Sequence, residues 1–274
     1  MVAERSEIVI TRRQVSREPI KLRGKRVLTY LRRYRRLQTN LRRQHLVLPT
    51  SRARAADPAN RTHFLINFPG SPNSIEGLTG WLPVLHRLNQ DAPVAILVGD
   101  VSAYQAVCAA TQLPCYFGRA ATEAEYVAQQ MQTKVMLYVN QSKLNLREGG
   151  FHDMFHVFLG APGSARARWL NNRVRLYDYV LAPDEESKAW LGSRLMGFDV
   201  DSRVRVVGRR RPADSPLDHL GSALRGDDVE SGGVDHEAVV SELLRIRDER
   251  DRAVADRDRL LAEQGIVLLK GGQA

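Results

Sequence analysis

The residues best equipped for chemistry fall in short polar runs, each directly after an apolar, β-type segment. Residues 140–145 read Asn140, Gln141, Ser142, Lys143, Leu144 and Asn145, amide and hydroxyl groups around one cation. Residues 160–168 read Gly160, Ala161, Pro162, Gly163, Ser164, Ala165, Arg166, Ala167 and Arg168, a glycine-bearing turn into a helix start with two arginines. Backbone amides at a helix N-terminus together with a guanidinium group suit a phosphate. The candidate ligand-binding residues are therefore Asn140, Ser142, Lys143, Asn145, Gly163, Ser164 and Arg166. A third run, residues 69–74, offers Ser71, Asn73 and Ser74, whose plainer use is to cap a helix. Neither a GxGxxG fingerprint nor a P-loop accompanies these runs.

Other reactive types do not assemble into a motif. His152 and His156 bracket Asp153, a spacing that could chelate a metal from a helix, but the segment reads as the entry to a strand, where residues four apart lie too far from one another to share an ion. Both are expected to be structural, and no metal or cofactor is expected. His63 and His86 have no carboxylate at useful spacing, and no Ser/His/Asp or Cys/His set can be traced. Cys108 and Cys115 match no redox or zinc spacing and read as reduced core thiols.

Runs of this kind need a scaffold, and the 274-residue chain has one. Its 43% hydrophobic and 26% charged content is that of a globular protein. Apolar, β-rich runs at 63–68, 94–98, 115–117, 135–139, 156–159, 179–182 and 204–207 alternate with helix-like stretches at 73–89, 102–112, 123–132, 165–176 and 185–196. That alternation predicts right-handed βαβ crossovers and a parallel sheet covered on both faces, in one domain over residues 62–212. The candidate residues then fall in loops leaving the carboxyl ends of strands, where open parallel sheets bind ligands.

The middle of the chain resembles a known family. Residues 135–145 (Val-Met-Leu-Tyr-Val-Asn-Gln-Ser-Lys-Leu-Asn), 156–160 (His-Val-Phe-Leu-Gly), 176–182 (Leu-Tyr-Asp-Tyr-Val-Leu-Ala) and 206–209 (Val-Val-Gly-Arg) are similar, in order and spacing, to the first half of CDP-glycerol glycerophosphotransferases. Those enzymes build teichoic-acid-like polyol-phosphate polymers of the cell envelope. The resemblance implies a single Rossmann-like α/β domain, one half of a GT-B pair whose other half binds the CDP-linked donor. In the family a His-Gly pair follows the Val-Phe-Leu-Gly strand, and the histidine is the general base toward the acceptor hydroxyl. Here Ala161 and Pro162 occupy those positions; Ser164 matches, while Ala165 and Arg166 replace an Asp and a Lys. A positioned base is worth about 10²–10⁴-fold in rate, and alanine supplies none. The expectation is a non-catalytic binding or scaffolding relative that holds a polyol-phosphate acceptor. The alternative is the acceptor half of a split or variant transferase.

The net charge of +10 is local: residues 19–56 hold twelve Lys or Arg and no acid, and the remaining 29 basic residues face 31 acidic ones. After a loose lead-in (1–20), a basic amphipathic helix is predicted over 21–45, with Val27, Tyr30, Leu31, Tyr34, Leu37 and Leu41 in one stripe beside Arg32, Arg33, Arg35, Arg36, Arg42 and Arg43. Such a helix suits an anionic membrane, a polyanion, or packing on its own domain. With no signal-type or spanning segment, the expected location is cytoplasmic, peripheral on the inner face of the membrane. Nucleic acid is a poor partner, since no recognition fold is apparent and aromatic residues are few. Residues 213–235 read as a Gly, Asp and Ser-rich linker. Over 236–264, the series Val239, Leu243, Ile246, Arg250, Ala253, Arg257, Leu260 and Gln264 repeats by four and three like a coiled-coil seam. It is expected to pair with a second copy or a partner helix, so that truncation after residue 230 leaves the domain folded but monomeric.

Overall fold

In a computed structural model of the chain, residues 20–160, 172–208 and 234–264 are described. The linker reading at 213–235 and the loop positions Ala161, Gly163, Ser164 and Arg166 fall almost wholly outside them; of these only Val234 and Asp235 are described.

Seven strands form one all-parallel sheet: β1 (Phe64–Phe68), β2 (Val94–Val98), β3 (Cys115–Phe117), β4 (Val135–Tyr138), β5 (Phe155–Phe158), β6 (Tyr179–Ala182) and β7 (Val204–Val206). Their spatial order is β3-β2-β1-β4-β5-β6-β7. All seven lie where apolar runs predict them, because strands buried on both faces read as continuous hydrophobic stretches. Phe64, Ile66, Val94, Ile96, Val135, Leu137, Val157 and Leu181 fill one face; Leu65, Leu97, Tyr116, Met136, Tyr138, Phe158, Val180 and Val204 fill the other. This is the Rossmann-like arrangement, built outward from β1 in both directions.

Helices α3 (Leu82–Asp91) and α4 (Val101–Ala110) cover the first face, and α5 (Ala121–Gln130) and α6 (Glu185–Arg194) the second. The stretch predicted as one helix over 73–89 is instead a 3₁₀ turn (Pro72–Ser74), the one-turn α2 (Glu76–Thr79) and α3. Gly80 ends α2, and Pro83, which lacks an N–H, sits in the first turn of α3 where that donor is not needed. A one-turn α7 (Val200–Arg203) precedes β7.

The chain divides into two compact units at residues 43 and 44, inside α1 (Ile20–Ala56). The described part of the first unit is the basic stretch of α1 up to Arg43. In the second, α1 runs well beyond the predicted end near residue 45, through Pro49, because its last turns are part of the core. Ala55 is fully buried, and Ser51, 1% exposed, accepts a hydrogen bond from the Phe117 amide of edge strand β3 at 2.9 Å. Arg54 Nη1 donates to the Cys115 carbonyl at 3.3 Å. Side chains of α1 thus occupy the open edge that β3 would otherwise present. Ser51→Ala leaves the Phe117 N–H buried and unpaired, and is expected to lower stability by about 1–3 kcal/mol, read by urea unfolding.

The C-terminal helix, α8 (His236–Glu263), corrects the sequence expectation most sharply. Val239, Val240, Leu243 and Ile246 are buried in the same cluster as the first sheet face. Arg87 of α3 pairs with Glu237 at 3.0 Å; Tyr179 donates to Glu249 at 2.8 Å; Lys134 pairs with Asp251. The polar seam positions also turn inward: Arg250 donates to the Asp153 carbonyl at 2.6 Å, and Arg257 lies 3.7 Å from the Asp153 carboxylate. The first half of the seam therefore faces its own domain, whereas Ala253, Leu260 and Gln264 further along are exposed. The Asp235 amide donates to the Gly208 carbonyl at 3.3 Å, so the excursion that leaves at the end of β7 returns to the place it left. Among the described residues, α8 is the helix that packs on this face beside β4 to β7.

Candidate functional site

An order that grows outward from β1 has its switch point between β1 and β4, where successive connections leave to opposite sides and open a crevice beyond the strand ends. The loop after β1 is tight. A Cβ on Gly70 would lie 2.3 Å from Ser74 Oγ and 2.9 Å from the Phe68 ring, so only glycine fits. Ser71 stands at the start of the 3₁₀ turn without making the side-chain cap bond predicted for this run; Ser74 Oγ instead donates to the Ser71 carbonyl at 2.8 Å. Because the helix that follows has one turn only, the switch point lacks the long helix N-terminus that holds pyrophosphate in dinucleotide-binding domains.

The loop after β4 carries the polar groups. Asn145, 3% exposed, donates from Nδ2 to the Asn140 carbonyl at 2.7 Å and to the Tyr177 hydroxyl at 3.0 Å. Its Oδ1 is buried with no partner, as is Asn140 Oδ1. Ser142 shapes the turn: its Oγ accepts from the Leu144 amide at 3.1 Å, and its carbonyl accepts from the Asn145 amide at 3.2 Å. Lys143 is exposed at the rim, where Arg173 donates to the Gln141 carbonyl at 3.4 Å. Four of the predicted site residues, Asn140, Ser142, Lys143 and Asn145, are therefore gathered in one loop, with Asn140 and Asn145 directly bonded.

One polar residue belongs with them that the loop-based reading passes over. Asn67, in the middle of the apolar run Phe64–Phe68, is 2% exposed and its Nδ2 has no partner. It stands in register with Tyr138 of β4, whose ring lies 4.9 Å from that of Tyr177, the residue bonded to Asn145. Asn67, Tyr138, Tyr177 and Asn145 thus form a continuous set on one side of the switch point. A buried amide nitrogen without a partner costs about 1–3 kcal/mol, and an apolar residue at position 67 would carry no such penalty.

His156 is not a free base. Its Nδ1 lies 2.7 Å from the Tyr138 hydroxyl, and its Nε2 is 3.0 Å from the Phe151 carbonyl. A carbonyl only accepts, so Nε2 carries a hydrogen, and both ring nitrogens are occupied by structure. The backbone of His156 is further tied to Asp178, by an amide-to-carboxylate bond of 2.8 Å and a return bond of the same length. The network fixes Tyr138, and through its ring Tyr177, on the floor of the site. His152 is exposed and does not join it. Among the described residues no three His, Cys, Asp or Glu side chains are grouped as a metal site.

Strand order and parallel direction define a Rossmann-like α/β domain, and the buried polar groups beside its switch point are the candidate small-ligand site. No protein-family model matches the chain, and no curated protein is similar enough to it to match.

Proposed function

We propose that the chain is a non-catalytic relative of the polyol-phosphate transferases, which binds a polyol phosphate at the β1/β4 crevice and works against an anionic membrane surface in a cell-envelope polymer pathway. One observation carries the ligand reading: Asn67 Nδ2, Asn140 Oδ1 and Asn145 Oδ1 are buried without partners beside the switch point. A donor together with acceptors, all uncharged, matches hydroxyl groups, which donate and accept in turn. Lys143 and Arg173 at the rim supply the positive charge a phosphate needs. Ala161 at the position of the family's base, and His156 with both nitrogens engaged, favour binding over transfer.

The membrane reading rests on the first unit. Among the described residues no helix is long and apolar enough to cross a membrane. On α1, Tyr34 and Leu37 are 49% exposed and Leu41 36%, an apolar stripe beside the exposed Arg32, Arg35, Arg42 and Arg43. An exposed stripe flanked by cations is the pattern of a helix lying in the headgroup region, where each Lys or Arg adds about 1 kcal/mol.

Calorimetric titration with glycerol 3-phosphate tests the site: binding is expected for the full chain, several-fold weaker for Lys143→Gln. Incubation with CDP-glycerol is expected to release no CMP; release would replace this reading with that of a split or variant transferase. The chain should also sediment with phosphatidylglycerol-containing vesicles and be released by salt. Replacing Arg32, Arg33, Arg35 and Arg36 with Gln should weaken this binding by up to about 4 kcal/mol. Equal binding by the quadruple variant would overturn the membrane assignment.

A further inference from the structure

At the amino edge of the sheet, the far end of the strands from the crevice, two connections come together. The 3₁₀ turn Asn172–Leu176 leads into β6, and residues 195–199 join α6 to α7 ahead of β7. Phe198 packs in the core of the second sheet face, and two guanidinium groups lie over its ring, Arg175 at 5.9 Å from the centroid and Arg203 at 5.6 Å. Backbone groups hold both in place: Arg175 Nη2 donates to the Met196 carbonyl at 2.5 Å, and Arg203 Nη1 to the Arg175 carbonyl at 3.4 Å. Arg194, at the end of α6, lies over the Trp190 ring at 5.5 Å. Among the described residues none of these three arginines forms a salt bridge. Asp199, which offsets part of the Arg203 charge, accepts from the Ser202 amide at 3.1 Å as the cap of α7, and Asp201 lies 3.3 Å from Lys188. The stretch therefore keeps a surplus of positive charge. Beside it, Met196 is 91% exposed on the turn that Gly197 makes with φ +70°, and Leu176, next to Arg175, is 41% exposed.

We propose that this patch, Arg175, Arg194 and Arg203 with Met196 and Leu176, docks the α/β domain on the surface of an anionic bilayer. The inference rests on the membrane reading above and adds to it the face of the domain that meets the lipid. Guanidinium groups pair with the phosphate oxygens of headgroups, and arginines already ordered on aromatic rings lose less side-chain freedom in doing so. Met196 and Leu176 then leave water for the boundary between headgroups and acyl chains. A protein interface needs a broader apolar centre than one Met and one Leu, whereas a headgroup layer asks only for cations and a shallow apolar tip. Because all seven strands are parallel, a bilayer at their amino ends leaves the β1/β4 crevice, at their carboxyl ends, open to water on the opposite side. A water-soluble ligand then reaches the crevice while the domain is docked.

The test uses the full chain with an environment-sensitive fluorophore on Met196→Cys. Cys108, exposed where the sequence reads it as a core thiol, is replaced by Ser, and Cys115 is buried, so the dye has one accessible thiol. With vesicles of phosphatidylglycerol and phosphatidylcholine, emission at position 196 is expected to rise several-fold, shift to the blue, and fall back as salt is added. The same response is expected, at higher lipid, when Arg32, Arg33, Arg35 and Arg36 are also replaced with Gln. A dye on Glu185→Cys, at the other end of α6, is expected to stay unchanged. In sedimentation, Arg194→Gln should lower vesicle binding about fivefold, the worth of one cation at the lipid surface, and Met196→Glu should lower it further. Both positions are exposed, so the fold is kept. A silent dye at position 196 on a chain that still sediments would overturn the docking face and leave α1 as the membrane contact; a chain that does not sediment at all would remove the membrane reading and this inference together. An equal response to pure phosphatidylcholine, or emission that rises with protein concentration in the absence of lipid, would overturn it as well, the latter by assigning the patch to a second copy.

Discussion

Truncation after residue 230 is expected to abolish the native fold. The cut removes α8, and with it Val239, Val240, Leu243 and Ile246, all buried against the sheet face of β4 and β5. Burying an aliphatic side chain of this size contributes about 1.5–3 kcal/mol, so the four together contribute about 6–12 kcal/mol. A domain's whole stability is about 5–15 kcal/mol. Loss of α8 also leaves Val157, Leu137 and Val135 facing water, strips Lys134 and Tyr179 of their carboxylate partners, and leaves Arg87 with Asp91 alone. The truncated chain should show no cooperative thermal transition and should bind a hydrophobic dye. A folded, cooperative truncated chain would mean that α8 is an appendage, as the seam reading supposes. Leu243→Asp in the full chain gives a milder version of the same test.

That the first half of α8 belongs to the core is not legible in its repeat, for a physical reason. A four-three apolar repeat says that one face of a helix is buried, and says nothing of what buries it. The interruption by Arg250 and Arg257 weakens a coiled coil, yet both are explained once Asp153 lies opposite them. The strands were legible for the contrary reason: in an all-parallel sheet, burial on both faces leaves unbroken apolar runs that few other structures produce. Strand order is not written in those runs, because it is set by long-range packing between strands. The extent of α1 was hidden by Pro49, a poor residue for a helix interior. What carries the helix past it is long-range, namely the contacts of Ser51 and Ala55 with β3 and the core.

The site divides in the same way. Residues 140–145 were legible because polar groups immediately after an apolar strand have one place to be in a parallel sheet, at its carboxyl edge. Asn67 was not, since it sits inside the strand and reads as a blemish in Phe64–Phe68. Tyr177 was passed over because its hydroxyl meets Asn145 only through tertiary folding. A polar residue interrupting a central strand near its carboxyl end was the available signal, and it marks the place where local stability is given up.

Asn67→Leu should therefore raise stability while removing ligand binding. Leucine has a similar branched shape, and it replaces the buried Nδ2 that has no partner with carbon. Relief of that penalty is about 1–3 kcal/mol, offset in part by fitting the bulkier methyl groups between Leu97 and Tyr138, its register neighbours on β2 and β4. For a domain of this size each kcal/mol gained raises Tm by about 2–4 °C. The same change removes a buried donor that has no partner in the chain, so glycerol 3-phosphate affinity should fall at least about tenfold, the worth of one buried hydrogen bond. The pairing of opposite signs is what separates the readings. An amide kept for packing alone would lose stability on substitution and leave binding as it was, whereas an amide held ready for a ligand gains stability and loses binding. Thermal melts and titration of the same two proteins give both numbers, and a drop in Tm with unchanged affinity would remove Asn67 from the site.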